Sequence, residues 1–362
     1  MTKTVLRIGS FPTDKLPGAG LHLYYLQNLQ NYKTIFISPE LEGNPLPLIN
    51  NDTLIRYKNF LFKRTRKESK ILHQIKRIFN ALKFNARCIQ ILYEQNPDII
   101  HIHSPYYLPV SWMANLRKKK CYMTYHGSDY IAVKNSKFYK YCVKGIDKVF
   151  FLGSHMHHGL EKIHGKNKIV EVFNGVNTDQ FKDLGLKREK LIIAVGSLKV
   201  EKGFDFLIRA FAHLISRQEY TDYKLIIAGD GILLSELKQI AEQLKVDQSI
   251  SFVGHLDRKK LIALYQKAEL FVLSSISEGF PKVLLEAAAA GCKIVSTDVG
   301  SVDMVLNKSY FNLVPIKNIE LLSLSIAEVL DKEKNKLLKN ITQNFSWHKV
   351  AGKYLLSYTD KT

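Results

Sequence analysis

Two carboxylates, Glu278 and Glu286, stand in the stretch Ser275-Ile-Ser-Glu-Gly-Phe-Pro-Lys-Val-Leu-Leu-Glu-Ala-Ala-Ala-Ala-Gly-Cys-Lys-Ile-Val-Ser-Thr297. The stretch reads as loop, helix, turn and strand. Pro281 suits the first helical position, where its missing N–H would have no partner anyway. Gly291 suits the left-handed residue that stops a helix. From Val283 to Ala290 only Glu286 is polar, which predicts a helix buried all round. A carboxylate there needs a partner, because an unpaired buried charge is strongly unfavourable or is neutralised. Glu278 precedes the helix beside Gly279, whose missing side chain lets a ligand approach the backbone. The free N–H groups of the first turn favour an anion. Two acids flanking such a helix start suit a sugar nucleotide. The same residues also suit a helix capped by Glu278, with Glu286 in a salt bridge.

The elements that must position these residues alternate strand with helix, which predicts α/β architecture with two parallel, helix-covered sheets. A strand at Val5–Gly9, a loop with Gly18 and Gly20, and a helix from Leu21 form the opening unit of a nucleotide-type fold. In open parallel sheets ligands bind at the carboxyl ends of strands. Those ends carry His103, His126 and Asp129, although histidines there also tie loops to carbonyls. His155-Met-His-His158 has no accompanying carboxylate and reads as surface, not metal site.

At 362 residues, 46% of them hydrophobic, the chain is long enough for two globular domains. No run approaches the roughly 18 apolar residues of a membrane span, and the start enters a strand directly, so a cytoplasmic protein is expected. Cys88, Cys121, Cys142 and Cys292 lack metal spacing and read as buried free thiols. The net charge of +20 favours an anionic partner: nucleic acid, a membrane face or a phosphorylated substrate.

Basic residues crowd Arg56–Arg87. Within it Ile71, Leu72, Ile75, Ile78, Phe79 and Leu82 recur at helical spacing, with Lys76, Arg77 and Lys83 off the stripe. Such a helix either packs one side on its own sheet or lies on a surface. Phe60-Leu-Phe62, beside Lys63, Arg64, Arg66 and Lys67, tilts the reading toward an anionic bilayer, where each basic residue adds about 1 kcal/mol. No nucleic-acid module is recognisable, so nucleic acid is not expected.

Glu278-Gly-Phe-Pro-Lys-Val-Leu-Leu-Glu286 resembles the Glu-x7-Glu motif of retaining GT-B glycosyltransferases of family 4. Val195-Gly-Ser-Leu-Lys-Val-Glu-Lys-Gly203 resembles that family's Val-Gly-Arg-Leu-x-x-x-Lys-Gly, with Ser197 for arginine. Asp98-Ile-Ile-His-Ile-His103 resembles its Asp-x-x-His-x-His strand. Asn174-Gly-Val-Asn-Thr-Asp-Gln-Phe181 resembles its Pro-Asn-Gly-Val-Asp-x-x-x-Phe, with Phe173 for proline and Asn177 for aspartate. Gly18-Ala-Gly20, Gly229-Asp-Gly231 and the closing Phe345–Leu356 segment also have counterparts, and Asp303 replaces a usual glutamate. The resemblance covers nearly the whole chain. It is specific at 278–286 and 191–203 and diffuse in the first half.

The resemblance implies GT-B architecture, two Rossmann-like domains with parallel sheets facing across a cleft. Residues 1–182 would form an acceptor-binding domain, 188–340 a nucleotide-sugar-binding domain, and 341–362 a helix crossing back to the first. Glu286 would accept hydrogen bonds from ribose hydroxyls. Glu278 would orient the donor sugar, helped by the backbone at Gly279, Phe280 and Pro281 and by Val283. Lys202, with Ser197, would stabilise the departing diphosphate, and Gly196 would admit it. Ser197 can hydrogen-bond a phosphate but supplies no charge.

His126 would touch the donor near the reaction centre, Gly18 and Gly20 its phosphates or the acceptor, Gly229 the turn, and Val253 the nucleobase. No Asp-x-Asp occurs, so transfer without metal and without any other cofactor is expected. Retention by front-face departure is implied by the family alone. The partners implied are a nucleotide sugar, most commonly UDP-linked, and a glycan or polyprenyl-phosphate-linked acceptor of bacterial cell-envelope polysaccharide. The enzyme would sit peripherally on the anionic inner face of the cytoplasmic membrane. A nucleotide-sugar epimerase or hydrolase of this fold, and a silent sugar- or membrane-binding scaffold, are the alternatives. The scaffold would be expected to lack Glu278, Glu286 or Lys202, all of which are present.

Overall fold

The computed structural model describes residues 2–11, 21–26, 32–41, 43–48, 52–57, 69–126, 129–153, 156–278, 280–300, 302–305, 313–332 and 344–359. It divides into two units, residues 1–173 with 350–362, and residues 174–349.

The first unit is a seven-stranded sheet with β1 Lys3–Ile8, β2 Tyr32–Pro39, β3 Thr53–Tyr57, β4 Ile99–Ile102, β5 Lys120–Tyr125, β6 Lys148–Leu152 and β7 Ile169–Val172. The spatial order is β3-β2-β1-β4-β5-β6-β7, every pairing is parallel, and Val5 of β1 stands opposite Thr34 and Ile99. Helices between successive strands cover such a sheet, so its strands read as unbroken apolar runs. Val5, Leu6, Ile8, Ile100 and Ile102 are fully buried.

Arg7 interrupts that run and is fully buried as well. Its guanidinium donates to Tyr358 Oη at 3.0 Å, to His101 Nδ1 at 3.2 Å and to Leu26 O at 3.4 Å. Because arginine can only donate, His101 Nδ1 is an acceptor, and Nε2–H donates to Thr124 Oγ1 at 2.8 Å. Tyr354 and Tyr358, on the closing helix Trp347–Thr359, complete this network. The Tyr354 ring lies 4.2 Å from that of Phe150.

The second unit has six strands: β8 Glu189–Val195, β9 Lys224–Ala228, β10 Ile250–Gly254, β11 Ala268–Leu273, β12 Lys293–Thr297 and β13 Leu313–Val314. Their order is β10-β9-β8-β11-β12-β13, again all parallel. Ile192, Leu207, Phe211, Leu225, Val272 and Ile326 centre its core. In each sheet the strand order reverses once, at β1/β4 and at β8/β11, the switch points where doubly wound folds bind ligands.

The division at Phe173/Asn174 lies ahead of the boundary that the resemblance implies between residues 182 and 188. Segment 174–181 is packed into the second unit. Val176 N donates to Phe345 O at 2.8 Å, and the buried Phe181 ring lies 5.7 Å from Tyr265. A Cβ on Gly175 would meet Trp347 Cδ2 at 2.5 Å. The closing helix belongs to the first unit from Val350 onward.

The basic amphipathic segment forms a 26-residue helix, Lys70–Gln95, capped by Ser69 Oγ, which accepts from Leu72 N. Its second half packs through Phe84, Cys88, Ile91 and Leu92. Leu72, Ile75, Ile78, Phe79 and Leu82 are all exposed. Packing on the sheet therefore does not account for that stripe. Phe60–Phe62 and Lys63, Arg64, Arg66 and Lys67 lie outside the described residues. No helix among the described residues is long and apolar enough to cross a membrane, and all four cysteines are buried free thiols.

Candidate active site

The carboxyl ends of β8 and β11 converge on Lys202 and Glu278. After β8 the chain makes a single 3-10 turn, Val200–Lys202, closed by Gly203 in the left-handed region at φ 59°. A Cβ on Gly203 would fall 2.3 Å from Ser274 O, so only glycine lets this turn press against the end of β11. Ser274 Oγ donates to Lys202 O at 3.0 Å, and Ile276 N to Glu201 O at 2.8 Å. Held between these bonds, Lys202 Nζ donates to Glu278 Oε1 at 2.5 Å, and Ser275 Oγ donates to the same oxygen at 2.7 Å. Thr297 Oγ1 fixes the loop from β12 by donating to Ser275 O at 2.7 Å. The Lys202 and Glu278 side chains are 27% and 10% exposed. Glu278 Oε2 has no partner among the described residues, a pre-positioned acceptor beside a cation.

Glu286 projects from helix Lys282–Ala289. The helix is not buried all round: Lys282, Val283, Glu286 and Ala289 form a half-buried stripe, while Leu284, Leu285, Ala287 and Ala288 are buried. The stripe follows helical spacing, so Glu286 lies on the half-buried face of the helix. Pro281 takes the capping position just before the helix rather than its first residue. Gly291 does stop it at φ 77°: Cys292 N donates to Ala287 O at 3.0 Å and Gly291 N to Ala288 O at 3.1 Å, a Schellman turn.

Tyr265, fully buried on helix Arg258–Lys267, donates from Oη toward Glu286 Oε2 at 3.4 Å. Burial raises the pKa of Glu286, against the opposing pull of Arg258 and Lys282. Burial likewise lowers that of Lys282, with Glu286 opposing. The Arg258 guanidinium lies 5.0 Å from the Phe181 ring and donates from Nε to Gln180 Oε1 at 2.7 Å. Two cations thus act on one enclosed carboxylate.

The glycines divide by role. A Cβ on Gly229, at φ 142°, would lie 1.9 Å from Gly196 O, so that glycine serves the contact between two strand ends. At Gly196 an added Cβ meets nothing nearer than Phe204 Cζ at 3.6 Å, so the protein's own packing does not demand glycine there. Ser197 is exposed beside it. Val253 is exposed at the end of β10. Phe280 turns inward instead, its ring 5.9 Å from Phe345, and Val283 is half-buried. Gly279 lies outside the described residues, as do Gly18 and Gly20.

In the first unit the ends of β1, β4 and β5 bring Gly9, His103 and His126 together. A Cβ on Gly9 would be 2.8 Å from His103 Cβ, and the His103 ring lies 4.2 Å from His101 and 5.8 Å from His126. His126 N donates to Asp129 Oδ2 at 3.0 Å. Burial pushes the Asp129 pKa up to about 6 despite that bond. His157 and His158 are exposed. Among the described residues no group of three or more His, Cys, Asp or Glu is placed to hold a metal ion.

Sequence reading missed Lys282, Arg258 and Tyr265. Lys282 was legible, since a lysine four residues before a glutamate shares its helix face. Arg258 and Tyr265 sit on a different helix, with no local signal linking them to Glu286.

Comparison with known proteins agrees with this geometry. The model for glycosyl transferases group 1 matches residues 176–345, and that for glycosyltransferase family 4 matches residues 32–180. An uncharacterized glycosyltransferase of Methanocaldococcus jannaschii is 28% identical over 291 residues, covering 76% of this chain and 78% of that protein. An N-acetylgalactosamine-N,N'-diacetylbacillosaminyl-diphospho-undecaprenol 4-alpha-N-acetylgalactosaminyltransferase of Campylobacter jejuni is 33% identical over 162 residues. That match covers 44% of this chain and 42% of that protein.

Among solved structures, sucrose-phosphate synthase from Thermosynechococcus elongatus superposes with a TM-score of 0.74 at 17% identity, covering 98% of both chains. An Anabaena protein in complex with UDP superposes at 0.70 and 15% identity, covering 99% of both. Two Rossmann-like units, each with a parallel sheet, and two family matches that together run from residue 32 to 345 establish that the chain belongs to the group 1, family 4 glycosyltransferases and is a glycosyltransferase of GT-B fold.

Proposed function

We propose that the protein transfers a sugar from a nucleotide-sugar donor, UDP-linked, held by residues 174–349, to a lipid-linked glycan acceptor of cell-envelope polysaccharide synthesis. Transfer proceeds with retention and without a metal ion or other cofactor. The observation that carries this reading is the Lys202–Glu278–Ser275 cluster at the β8/β11 switch point, with the enclosed Glu286 on the helix that follows. The donor diphosphate draws Lys202 away from Glu278, and Glu278 then accepts from a hydroxyl of the donor sugar. Glu286, steadied by Tyr265, accepts from the ribose hydroxyls. The bond from the anomeric carbon to the diphosphate oxygen breaks as the bond to the acceptor oxygen forms. The acceptor's proton passes to the departing diphosphate, whose charge Lys202 holds. Gly196 leaves room for the phosphates, and Ser197 adds a hydroxyl there.

A bound UDP in the Anabaena neighbour and a diphospho-undecaprenol substrate in the name of the Campylobacter relative support the donor and acceptor classes. The exposed stripe Leu72, Ile75, Ile78, Phe79 and Leu82, with Lys76 and Lys83 beside it, supports peripheral attachment to an anionic membrane face. The test is a thermal-shift panel of UDP-, GDP- and ADP-sugars, with and without EDTA, on wild type and Glu286→Ala. A donor at 100 times its Kd adds about 2.7 kcal/mol of stability. One series should stabilise the wild type, ignore EDTA and lose its effect in the variant. No shift with any nucleotide sugar refutes the donor site, and a shift abolished by EDTA refutes metal independence.

A further inference from the structure

Charge is divided unequally between the two units. Residues 1–173 with 350–362 hold 29 lysines and arginines against 12 aspartates and glutamates, +17 of the chain's +20, while residues 174–349 hold 24 against 21. The first unit also leaves a second aromatic surface in water, apart from the 72–82 stripe. Helices Leu108–Leu116 and Lys137–Cys142 share a tie at the buried Ser111, whose hydroxyl donates to Leu108 O of its own helix at 2.6 Å and lies 3.0 Å from Cys142 O. One residue from that tie on each helix stands an exposed aromatic, Trp112 at 52% and Tyr141 at 60%. Leu116 lies one turn beyond Trp112, and Phe138 shares the face of Tyr141; both are exposed.

Lysines surround these side chains. Lys134, Lys137, Lys140 and Lys144 are all exposed, at spacings of three or four residues. The Lys144 ammonium lies 5.7 Å from the Tyr141 ring. No acidic residue occurs between Asp98 and Asp129 or between Asp129 and Asp147. The surface adjoins the root of the projecting helix: Asn85 Nδ2 donates to Tyr106 O at 2.9 Å, and the Tyr106 ring lies 6.4 Å from that of Tyr139.

We infer that helices 108–116 and 137–142 form a docking platform for an anionic bilayer, separate from the 72–82 stripe. Tryptophan and tyrosine settle at the headgroup level, where one end of the ring is apolar and the other wet. Leu116 and Phe138 reach the acyl boundary, and the lysines extend their ammonium groups back to the phosphates. A nucleic-acid backbone would satisfy the lysines but give Leu116 and Phe138 nothing to bury against. The inference rests on the lipid-linked reading for its setting, yet it concerns different residues.

Trp112 supplies the readout. The chain has two tryptophans, and the other, Trp347, is 6% exposed, so a change in emission on binding vesicles reports Trp112. With full-length protein and vesicles of phosphatidylglycerol and phosphatidylcholine at about 3:7, the emission shifts to the blue and is quenched by acyl-brominated lipid. Pure phosphatidylcholine gives no shift, and about 0.5 M salt reverses it. Replacing Lys137, Lys140 and Lys144 together by glutamine weakens partitioning about a hundredfold, at roughly fivefold per lysine, with thermal unfolding unchanged. Sedimentation with anionic vesicles but no change at Trp112 overturns the platform and leaves attachment to the 72–82 stripe. No sedimentation at all overturns both. Tighter capture by duplex DNA than by vesicles also overturns the platform.

Discussion

Replacing Lys202 by methionine separates what the Lys202–Glu278 pair does for the fold from what it does for the reaction. The pair is short, at 2.5 Å, and one partner is 27% and the other 10% exposed. It therefore lies between an open surface pair, worth about 0–1 kcal/mol, and a sealed one, whose breaking costs about 3–5 kcal/mol. Ser275 still donates to Glu278 in the variant, which lowers the cost further. The expected loss is about 1–2 kcal/mol, or about 2–8 °C in Tm for a unit of this size. The catalytic cost is separate. A preorganised donor aimed at developing charge is worth about 10²–10³ in kcat. The assay is steady-state transfer with the donor identified by the thermal-shift panel, run well below the variant's Tm, alongside Glu278→Gln and the double variant. If the diphosphate recruits Lys202, its loss depresses kcat far beyond the fraction unfolded. The double variant is then less impaired than the product of the singles, because the two residues share one site. Transfer within tenfold of wild type, with the Tm loss present, refutes the catalytic role and leaves a structural ion pair.

Three further outcomes follow from the same geometry. Gly196→Ala keeps stability within about 0.5 kcal/mol of wild type but weakens donor binding, whereas Gly229→Ala is destabilised because its Cβ would meet Gly196 O at 1.9 Å; thermal unfolding and donor titration of the two compare them directly. Tyr265→Phe removes the donor to Glu286 without emptying the core and weakens donor affinity by about 0.5–1.5 kcal/mol, roughly two- to thirteenfold, while Glu286→Ala abolishes binding; isothermal titration measures both. Asp129, with its folded pKa raised from 3.8 to about 6, binds more protons folded than unfolded, so its contribution is most favourable below pH 4 and is lost as pH rises to 6. Asp129→Asn, which keeps an acceptor for His126 N, should remove that loss, on the order of 2 kcal/mol, and unfolding from pH 4 to 7 should show the wild type falling relative to the variant only across that window.

The parallel sheets were legible because unbroken apolar strands alternating with helical segments have few other folded solutions. Gly291 was legible because helix termination is local chemistry. What could not be read depends on partners far away in sequence. Lys202 and Glu278 are 76 residues apart, and their contact needs Gly203 against Ser274. Tyr265 reaches Glu286 only because two helices flank β11. Helix 282–289 looked apolar all round because Val283 and Ala289 are apolar, yet they share the half-open stripe with Glu286. Periodicity reports residue type, and exposure depends on what lies opposite. The same limit applies at helix 70–95, where one stripe runs from Ile71 to Leu82 yet Leu72, Ile75, Ile78, Phe79 and Leu82 are exposed, whereas Phe84 is buried. Arg7 is the reverse case: a charge inside an apolar strand, accommodated by a tyrosine 351 residues away.

The uneven charge gives these pieces a common physical account. Residues 174–349 are nearly neutral overall, so a nucleotide sugar would be recognised there by a few placed groups, Lys202, Ser197 and the region of Arg258 and Lys282, rather than by a long-range field. Such recognition acts at hydrogen-bond distance and is weakly screened where the groups are half-buried. The first unit, at +17, projects a field that salt attenuates over about 10 Å at 0.1 M. That field suits a large anionic surface better than one small molecule, since many separated lysines can each meet a phosphate. Transfer with soluble donor and detergent-dispersed acceptor should therefore be nearly independent of salt, whereas transfer to the same acceptor in anionic vesicles should fall steeply between about 0.05 and 0.5 M. Equal salt dependence in both formats would mean that the charge serves the chemistry at the site and not the surface on which it operates.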